Sequence, residues 1–106
     1  MTKAPKYTPW GAPDSAVLVG EGIWFITTPS HGGYYLEPAA NERVPLFYRD
    51  CTFDGQGLDG FYEGDSDACI VPVFLPESFE PDQVATALTS MARQWIQFAM
   101  EKESAA

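Results

Sequence analysis

The last third of the chain repeats its hydrophobic residues at a helical period. Spacings of four, three, four and three separate Val84, Leu88, Met91, Trp95 and Phe98, which places them on one face of a helix. Pro81 suits the first helical turn, and Asp82 is favourable beside the positive end of the helix dipole. The pattern predicts an amphipathic helix over residues 81–102, with these apolar side chains facing the core.

The first third of the chain has short apolar runs separated by glycine and proline, which is typical of β-strands. Three such runs lie in residues 15–36, and the connections between them are short. This arrangement predicts a three-strand antiparallel meander. Residues 1–14 are rich in proline and glycine. We expect them to form an extended segment whose TPWG turn docks Trp10 onto the rest of the protein.

The middle of the chain combines one ambiguous segment, one polar segment and one strongly apolar segment. Residues 39–48 either open a short helix, which Pro45 would end early, or remain irregular. Residues 50–67 contain four glycines and six acids and are predicted to form a long irregular loop. The apolar run 68–75 is predicted to be a buried strand, and Pro72 favours an edge position or a bulge.

These elements predict one α+β domain over residues 1–106, in which an antiparallel sheet of about four strands packs against one C-terminal amphipathic helix. The composition is globular, with 45 % hydrophobic and 14 % aromatic residues. No run of about 20 apolar residues could cross a bilayer, and the N-terminus lacks the apolar stretch of a signal peptide. Cys51 and Cys69 have no metal-ligand or redox-motif spacing, so we expect reduced thiols and a cytoplasmic protein.

Acidic residues are in large excess. The chain has 15 acids and six bases, a formal net charge of −9, and no base between Asp50 and Asp67. Such a surface repels nucleic acid and anionic membranes but attracts basic protein surfaces. Acidity that serves only solubility is the alternative.

The only histidine lies in the sequence TTPSHGGYYLEP. In a catalytic interpretation, His31 is a general base oriented by Glu63 or Asp65, and Ser30 or Cys51 is the nucleophile. Glycine beside the histidine would then let a substrate approach the backbone.

In a structural interpretation, Pro29 ends a strand, His31 bonds a nearby backbone carbonyl, and Gly32 and Gly33 turn the chain. One histidine without a nucleophile motif favours this interpretation, so we assign no catalytic residue and expect a binding protein more than an enzyme. No metal site or cofactor is expected, because one histidine and two distant thiols are a poor ligand set. An EF-hand that started at Asp59 would have Ile70 where a glutamate is required.

Three segments, TPWG, TPSHGGYYLEPAANERVP and FYEGDSDACIVPVFLPESF, resemble an uncharacterised family of small domains from phages, plasmids and other mobile elements of proteobacteria. The family pattern has TPWG, then T-x-SHGG-[YF]-x-L, an acidic YEED-C-D-W-like segment and a FP-x-x-F strand end. The match spans residues 8–79, and Gly64, Ser66 and Ala68 depart from it. The resemblance implies a genomic setting but no mechanism. It also implies a shared site formed by the Ser30–Gly33 turn and the Tyr62–Asp67 segment.

Two functional hypotheses follow. In the first, this is a small acidic inhibitor of anti-CRISPR or anti-restriction type. It would act in the host cytoplasm on a basic surface of a nucleic-acid-binding defence protein, without touching nucleic acid or membrane. In the second, it is a minimal enzyme or ligand-binding domain with its site at the SHGG turn and the acidic loop. The partner-binding residues of the first hypothesis are Asp54, Asp59, Phe61, Tyr62, Glu63, Asp65 and Asp67. Phe61 and Tyr62 are the anchors in that hypothesis, and core packing is the alternative role for Phe61.

Overall fold

The computed structural model describes residues 3–105, which form four strands and four helices. The strands are β1 (Ser15–Gly20), β2 (Ile23–Thr27), β3 (Gly32–Leu36) and β4 (Phe61–Glu63). The helices are α1 (Pro38–Asn41), α2 (Leu46–Asp50), α3 (Ile70–Phe74) and α4 (Pro81–Ala105), and two 3₁₀ segments cover Phe53–Asp59 and Pro76–Ser78. The α+β fold class is therefore confirmed.

The four strands form one antiparallel sheet in the order β1-β2-β3-β4. β1, β2 and β3 are the predicted meander. Gly22 has a φ of 72° in the turn between β1 and β2, a left-handed conformation that glycine adopts at little cost. β4 is short and pairs with β3, so that Tyr34 lies opposite Tyr62 and Gly33 lies opposite Glu63.

The fourth strand is not where the sequence analysis placed it. The strand prediction for residues 68–75 is wrong, because Ile70–Phe74 is the helix α3. Periodicity cannot separate a buried strand from one helical turn in so short an apolar run. Pro72 lies in the first turn of α3, where a missing N–H costs no helical hydrogen bond. β4 instead lies inside residues 50–67, which were expected to be an irregular loop and also contain the first 3₁₀ segment.

The core lies on the sheet face that α1 and α3 cover. Its buried members are Ile23, Leu36, Ala40, Val44, Tyr62, Ile70, Val71 and Leu75. Tyr62 is the largest fully buried side chain, and its hydroxyl donates a hydrogen bond to Asn41 Oδ1 at 2.5 Å. Asn41 in turn donates from Nδ2 to the Gly57 carbonyl at 2.8 Å. This buried polar pair therefore ties β4 to α1 and to the first 3₁₀ segment.

The N-terminal segment covers the opposite face of the sheet. A turn from Thr8 to Gly11 is closed by backbone hydrogen bonds and by the Thr8 hydroxyl, and it leaves Trp10 only 9 % exposed. The Trp10 ring meets Phe61 edge-on, with centroids 5.8 Å apart. The expected docking of the TPWG turn is thus confirmed.

Helix α4 begins at Pro81 as predicted and extends to Ala105. It packs chiefly against α3, with Ala87 buried and Met91 in contact with the core. The expectation that Leu88 and Trp95 face the core is wrong, because Leu88 is 51 % and Trp95 is 38 % exposed. The short α3 occupies the space on the sheet that the long helix was expected to fill. Over residues 3–105, the structure contains no helix with the length and apolar character of a transmembrane segment.

Candidate functional site

The histidine turn and the acidic segment meet at one end of the β3–β4 pair. His31 Nδ1 lies 3.5 Å from Glu63 Oε1. Asp65 joins them, and ligand atoms of the three side chains all lie within 4.8 Å of one another. The predicted proximity of the SHGG turn to the acidic segment is therefore confirmed. We call His31, Glu63 and Asp65 the junction triad.

The turn between β2 and β3 is held by Thr28. The Thr28 backbone N–H and hydroxyl each donate to the His31 carbonyl at 2.8 Å, and the His31 N–H donates to the Thr28 hydroxyl oxygen at 3.1 Å. Pro29 and Ser30 form the exposed tip. These bonds fix the backbone that carries the histidine.

The two glycines after His31 let the chain's own segments approach each other. A Cβ at position 33 would lie 2.2 Å from the Tyr62 carbonyl oxygen and 2.7 Å from the Trp10 ring, distances at which atoms collide. The Gly64 N–H donates to the Gly32 carbonyl at 2.7 Å. The space at Gly33 is thus filled by the protein itself, so this glycine serves packing and not the approach of a substrate to the backbone.

The turn between β4 and α3 is also fixed by its own backbone. The Glu63 carbonyl accepts hydrogen bonds from the N–H groups of Asp67 and Ala68, both at 2.9 Å. The Gln94 side-chain amide donates to the Ser66 carbonyl at 2.9 Å, which ties this turn to α4. Both acids of the triad therefore project from a backbone that is held on two sides.

Asp67 connects the acidic turn to the first 3₁₀ segment. Its carboxylate accepts a hydrogen bond from the Phe53 backbone N–H at 3.0 Å. Burial raises the pKa of this carboxyl, and the Phe53 hydrogen bond opposes that effect. Asp67 was predicted to contact a partner, but its half-buried carboxylate is engaged inside the protein.

The predicted anchors are not free to bind a partner. Tyr62 is fully buried, so its assignment as an anchor is wrong, and burial is the main cause that raises the pKa of its hydroxyl. Phe61 is half-buried and packs between Trp10 and Tyr35, whose ring centroid is 4.9 Å away. Pairing with Tyr34 in β3 places the Tyr62 side chain on the core face of the sheet. Because residues 50–67 were interpreted as a loop, the alternation of side chains between the two faces of a strand was not applied to Tyr62.

The predicted acids divide by exposure. The exposed ones are Asp54, Asp59 and Asp65, whereas Glu63 is half-buried beside His31. Asp54 has a φ of 53°, a left-handed conformation that aspartate tolerates better than most residues. The solvent-facing acidic surface therefore consists of Asp54, Asp59 and Asp65, with Glu63 at its margin. We call these four residues the acidic surface.

An apolar groove that was not predicted from the sequence lies between α2 and α4. Phe47 stacks on Trp95 with ring centroids 5.6 Å apart and planes 15° apart, and Phe98 meets Trp95 edge-on at 5.7 Å. The groove has a volume of about 560 Å³, and Ile70 and Asp67 also line it. Helical periodicity identified Trp95 and Phe98 as one face but could not show that most of this face lacks a neighbour. We call this feature the α2–α4 groove.

A second cleft lies beside the junction triad. Its volume is about 410 Å³, and it runs from Gly64 and Asp65 along the first turns of α4. Cys69 lines it, and burial is the largest cause that raises the pKa of this thiol. Cys51 lines the α2–α4 groove instead. Both cysteines are free thiols, and within residues 3–105 neither joins a cluster of potential metal ligands.

Comparison with known proteins places the chain in one family. No curated protein and no solved structure matches it. The model of one family, described as "Domain of unknown function (DUF7007)", matches residues 3–105. That range includes the Thr8–Gly11 turn, the junction triad and α4. The expectation of an uncharacterised family is thus confirmed, and the chain belongs to the DUF7007 family.

Proposed function

We propose that this protein is a non-catalytic binding protein whose acidic surface engages a basic surface of a partner protein. One observation carries the proposal. Within the described residues, the basic side chains that contact a carboxylate are His31, beside Glu63, and Arg43, beside Glu77, so the exposed Asp54, Asp59 and Asp65 form no salt bridge with a lysine or an arginine. Uncompensated acids on a chain of net charge −9 attract cationic surfaces over long distances and speed their association.

Two of the segments that carry these acids are joined by an internal contact. The hydrogen bond between Phe53 and Asp67 places the segment that carries Asp54 against the turn that carries Glu63 and Asp65. Because the backbone of that turn is fixed on both sides, little ordering of the acids is needed when a partner binds. Pre-organisation of this kind lowers the entropic cost of association.

The α2–α4 groove supplies the apolar contacts that charge alone lacks. Phe47 and Phe98 are 55 % and 54 % exposed, and Asp67 at the rim links the groove to the acidic turn. Interfaces gain most of their affinity from a few aromatic anchors in such pockets. The arrangement fits a basic amphipathic segment of the partner, with apolar side chains in the groove and lysine or arginine toward the acids.

The negative charge of this protein indicates the class of its partner. Proteins that bind nucleic acid carry basic surfaces, and an acidic protein can occupy them in place of phosphates. The resemblance of the TPWG, SHGG and acidic segments to domains of phages and plasmids supports a host defence protein as the target. The proposed activity is therefore inhibition of a nucleic-acid-targeting complex of anti-CRISPR or anti-restriction type, in the host cytoplasm.

The test is a pair of charge-reversal variants in a phage plating assay on a defence-proficient host. Asp59→Lys with Asp65→Lys changes two exposed acids of the acidic surface. Asp14→Lys with Glu21→Lys is the matched control, because both residues are exposed and both double variants move the net charge from −9 to −5. Circular dichroism checks that each variant folds.

The proposal expects the first variant to lose protection of the phage and the control to retain it. Equal protection by wild type and both variants contradicts the proposed acidic surface. Equal loss in both variants also contradicts it, because net charge and not this surface would then be responsible.

A second candidate function is a ligand-binding domain or minimal enzyme at the SHGG turn. The cleft that starts at Gly64 and Asp65 favours it, because a small-molecule site needs a concave pocket. His31→Gln separates the two candidates in the same assay. It leaves all 15 acids in place, so only a function centred on the histidine should be lost.

A further inference from the structure

The junction triad has a property that binding through the acidic surface does not require. The contact between His31 and Glu63 needs one carboxylate, but the structure brings a second one, from Asp65, to within 4.8 Å of the same group of atoms. Two carboxylates this close repel each other, and one imidazole does not balance both of them. A divalent cation between the three side chains removes that repulsion.

The donor set has the chemistry of a transition-metal site. Imidazole nitrogen and carboxylate oxygen are common Zn²⁺ ligands, with bonds of about 2.0–2.2 Å. Two atoms bound to one ion at that distance lie at most about 4.4 Å apart, and about 3.4 Å apart in the tetrahedral geometry of zinc sites. Because the triad atoms lie within 4.8 Å, rotation of the exposed His31 and Asp65 side chains toward the half-buried Glu63 brings all three onto one ion. Magnesium and calcium prefer sets made only of oxygen, so the histidine favours zinc.

The backbone holds the three ligands in place before an ion arrives. Thr28 fixes the carbonyl and N–H of His31, and the strand pairing of Gly33 with Glu63 sets the second ligand beside the first. Asp65 stands at the edge of the 410 Å³ cleft, so coordination positions on that side remain open to water or to a small ligand. A site with three protein ligands and an open position resembles catalytic and ligand-binding zinc sites more than closed structural ones.

We propose that His31, Glu63 and Asp65 bind one divalent transition-metal ion, with Zn²⁺ as the best match. No metal site was expected from the sequence, because the two cysteines were the only companions considered for the histidine and they are a poor ligand set. The two acids belong to a segment 32 and 34 residues further along the chain, and only the pairing of β3 with β4 brings them to His31.

Isothermal titration calorimetry of the full chain with ZnCl₂ tests the site, with MgCl₂ as the comparison cation. Wild type should bind one Zn²⁺ per chain and show no competition from Mg²⁺. His31→Gln and Asp65→Asn should each weaken Zn²⁺ binding at least ~10-fold, since loss even of groups that orient metal ligands costs that much. Asp59→Asn is the matched control, because it removes an exposed acid outside the triad and should bind as wild type does.

A second measurement uses the fact that the chain has one histidine. Its ring resonances in a nuclear magnetic resonance spectrum are therefore unambiguous, and stoichiometric Zn²⁺ should shift them. Zinc binding that is unchanged in His31→Gln, or a titration that leaves the His31 resonances in place, overturns the proposal. So does equal weakening in the Asp59→Asn control.

Discussion

The β3–β4 junction and the C-terminal half of α4 differ in how fully the protein's own packing covers them. At the junction, chain segments approach so closely that a Cβ at Gly33 would collide with two neighbours, and backbone hydrogen bonds fix both turns. From residue 92 to residue 103, every side chain of α4 is exposed, including Ile96 and Phe98. One region is completed by the protein's own packing, whereas the other presents apolar surface that its own chain does not cover.

The difference separates residues that hold the fold from residues that are available for binding. Substitutions at the junction and under Trp10 should act on stability. Substitutions in the α2–α4 groove or on the acidic surface should act on partner binding and leave stability nearly unchanged. Each prediction below compares a site of one kind with a matched site of the other, beginning with the largest expected effect.

Two of the three tryptophans, Trp10 and Trp95, give the largest contrast in stability. Trp10→Ala should lower the free energy of unfolding by about 3–5 kcal/mol, as expected for loss of a buried aromatic side chain. Trp95→Ala should cost only about 1 kcal/mol, because part of its surface already faces water and it stacks mainly on the exposed Phe47. Urea denaturation followed by circular dichroism measures both. Equal costs would mean that α4 is integrated into the core and that the comparison fails.

Substitution of the two glycines after His31 by alanine should lower stability by different amounts, because the space around each glycine differs. Gly33→Ala should lower the free energy of unfolding by about 3 kcal/mol, because the added methyl group overlaps the Tyr62 carbonyl and the Trp10 ring. At position 32 the nearest contact of a Cβ is the Ile26 carbonyl oxygen at 3.1 Å, so Gly32→Ala should cost about 1 kcal/mol. Urea unfolding midpoints distinguish them. A mild Gly33→Ala variant would show that the junction is loosely packed.

The hydroxyl of the buried Tyr62 should contribute to the stability of the fold. Tyr62→Phe leaves Asn41 Oδ1 without its donor, and an unsatisfied buried polar group costs about 1–3 kcal/mol. Tyr7→Phe is the control, because Tyr7 is 80 % exposed, and it should leave the free energy of unfolding unchanged. Thermal unfolding of the two variants beside wild type tests this. No difference between them would contradict the polar tie between β4 and α1.

Asp67 should produce the smallest effect, visible in the pH dependence of stability. Burial is the main cause that raises the pKa of its carboxyl above the ordinary value of 3.8. The folded protein therefore keeps a proton that the unfolded chain has already released, and this group's contribution to stability falls as the pH rises above about 4. Asp67→Asn retains an oxygen that can accept the Phe53 N–H but does not titrate.

The free energy of unfolding of Asp67→Asn should consequently fall less between about pH 4 and pH 6 than that of wild type. Urea denaturation at a series of pH values measures the slope for Asp67→Asn and for wild type. An unchanged slope in Asp67→Asn would show that this carboxyl has the same pKa in the folded and unfolded protein.

Sequence patterns within short segments correctly predicted the elements that depend on short-range interactions. The three-strand meander, the docked TPWG turn and the start of α4 at Pro81 all follow from glycine, proline and apolar spacing within short segments. The apolar run around Pro72 was wrongly predicted to be a strand, because a buried strand and a single-turn helix share that pattern. β4 was missed because its three residues, Phe61 to Glu63, lie among glycines and acids, and its pairing with β3 is set by tertiary contacts.

The candidate site was also predicted only in part: its location could be predicted from the sequence, but the roles of its individual residues could not. The resemblance and the geometry of the predicted hairpins correctly placed His31 near the acidic segment, but the roles of individual acids depend on contacts across the fold. Asp67 bonds to Phe53, and Tyr62 is forced into the core by its position opposite Tyr34. The α2–α4 groove could not be predicted, because a periodic apolar face does not reveal which of its residues have a neighbour.

The most direct test of the binding account is a titration with a lysine-rich amphipathic peptide, followed by the backbone resonances of the protein. The account predicts that the largest shifts fall on Asp59, Asp65 and the groove residues Phe47, Trp95 and Phe98, and that they weaken from low to physiological salt because screening reduces attraction between exposed charges. Shifts spread evenly over all exposed acids, including Asp14 and Glu21, or absent from the groove, would contradict a defined binding surface.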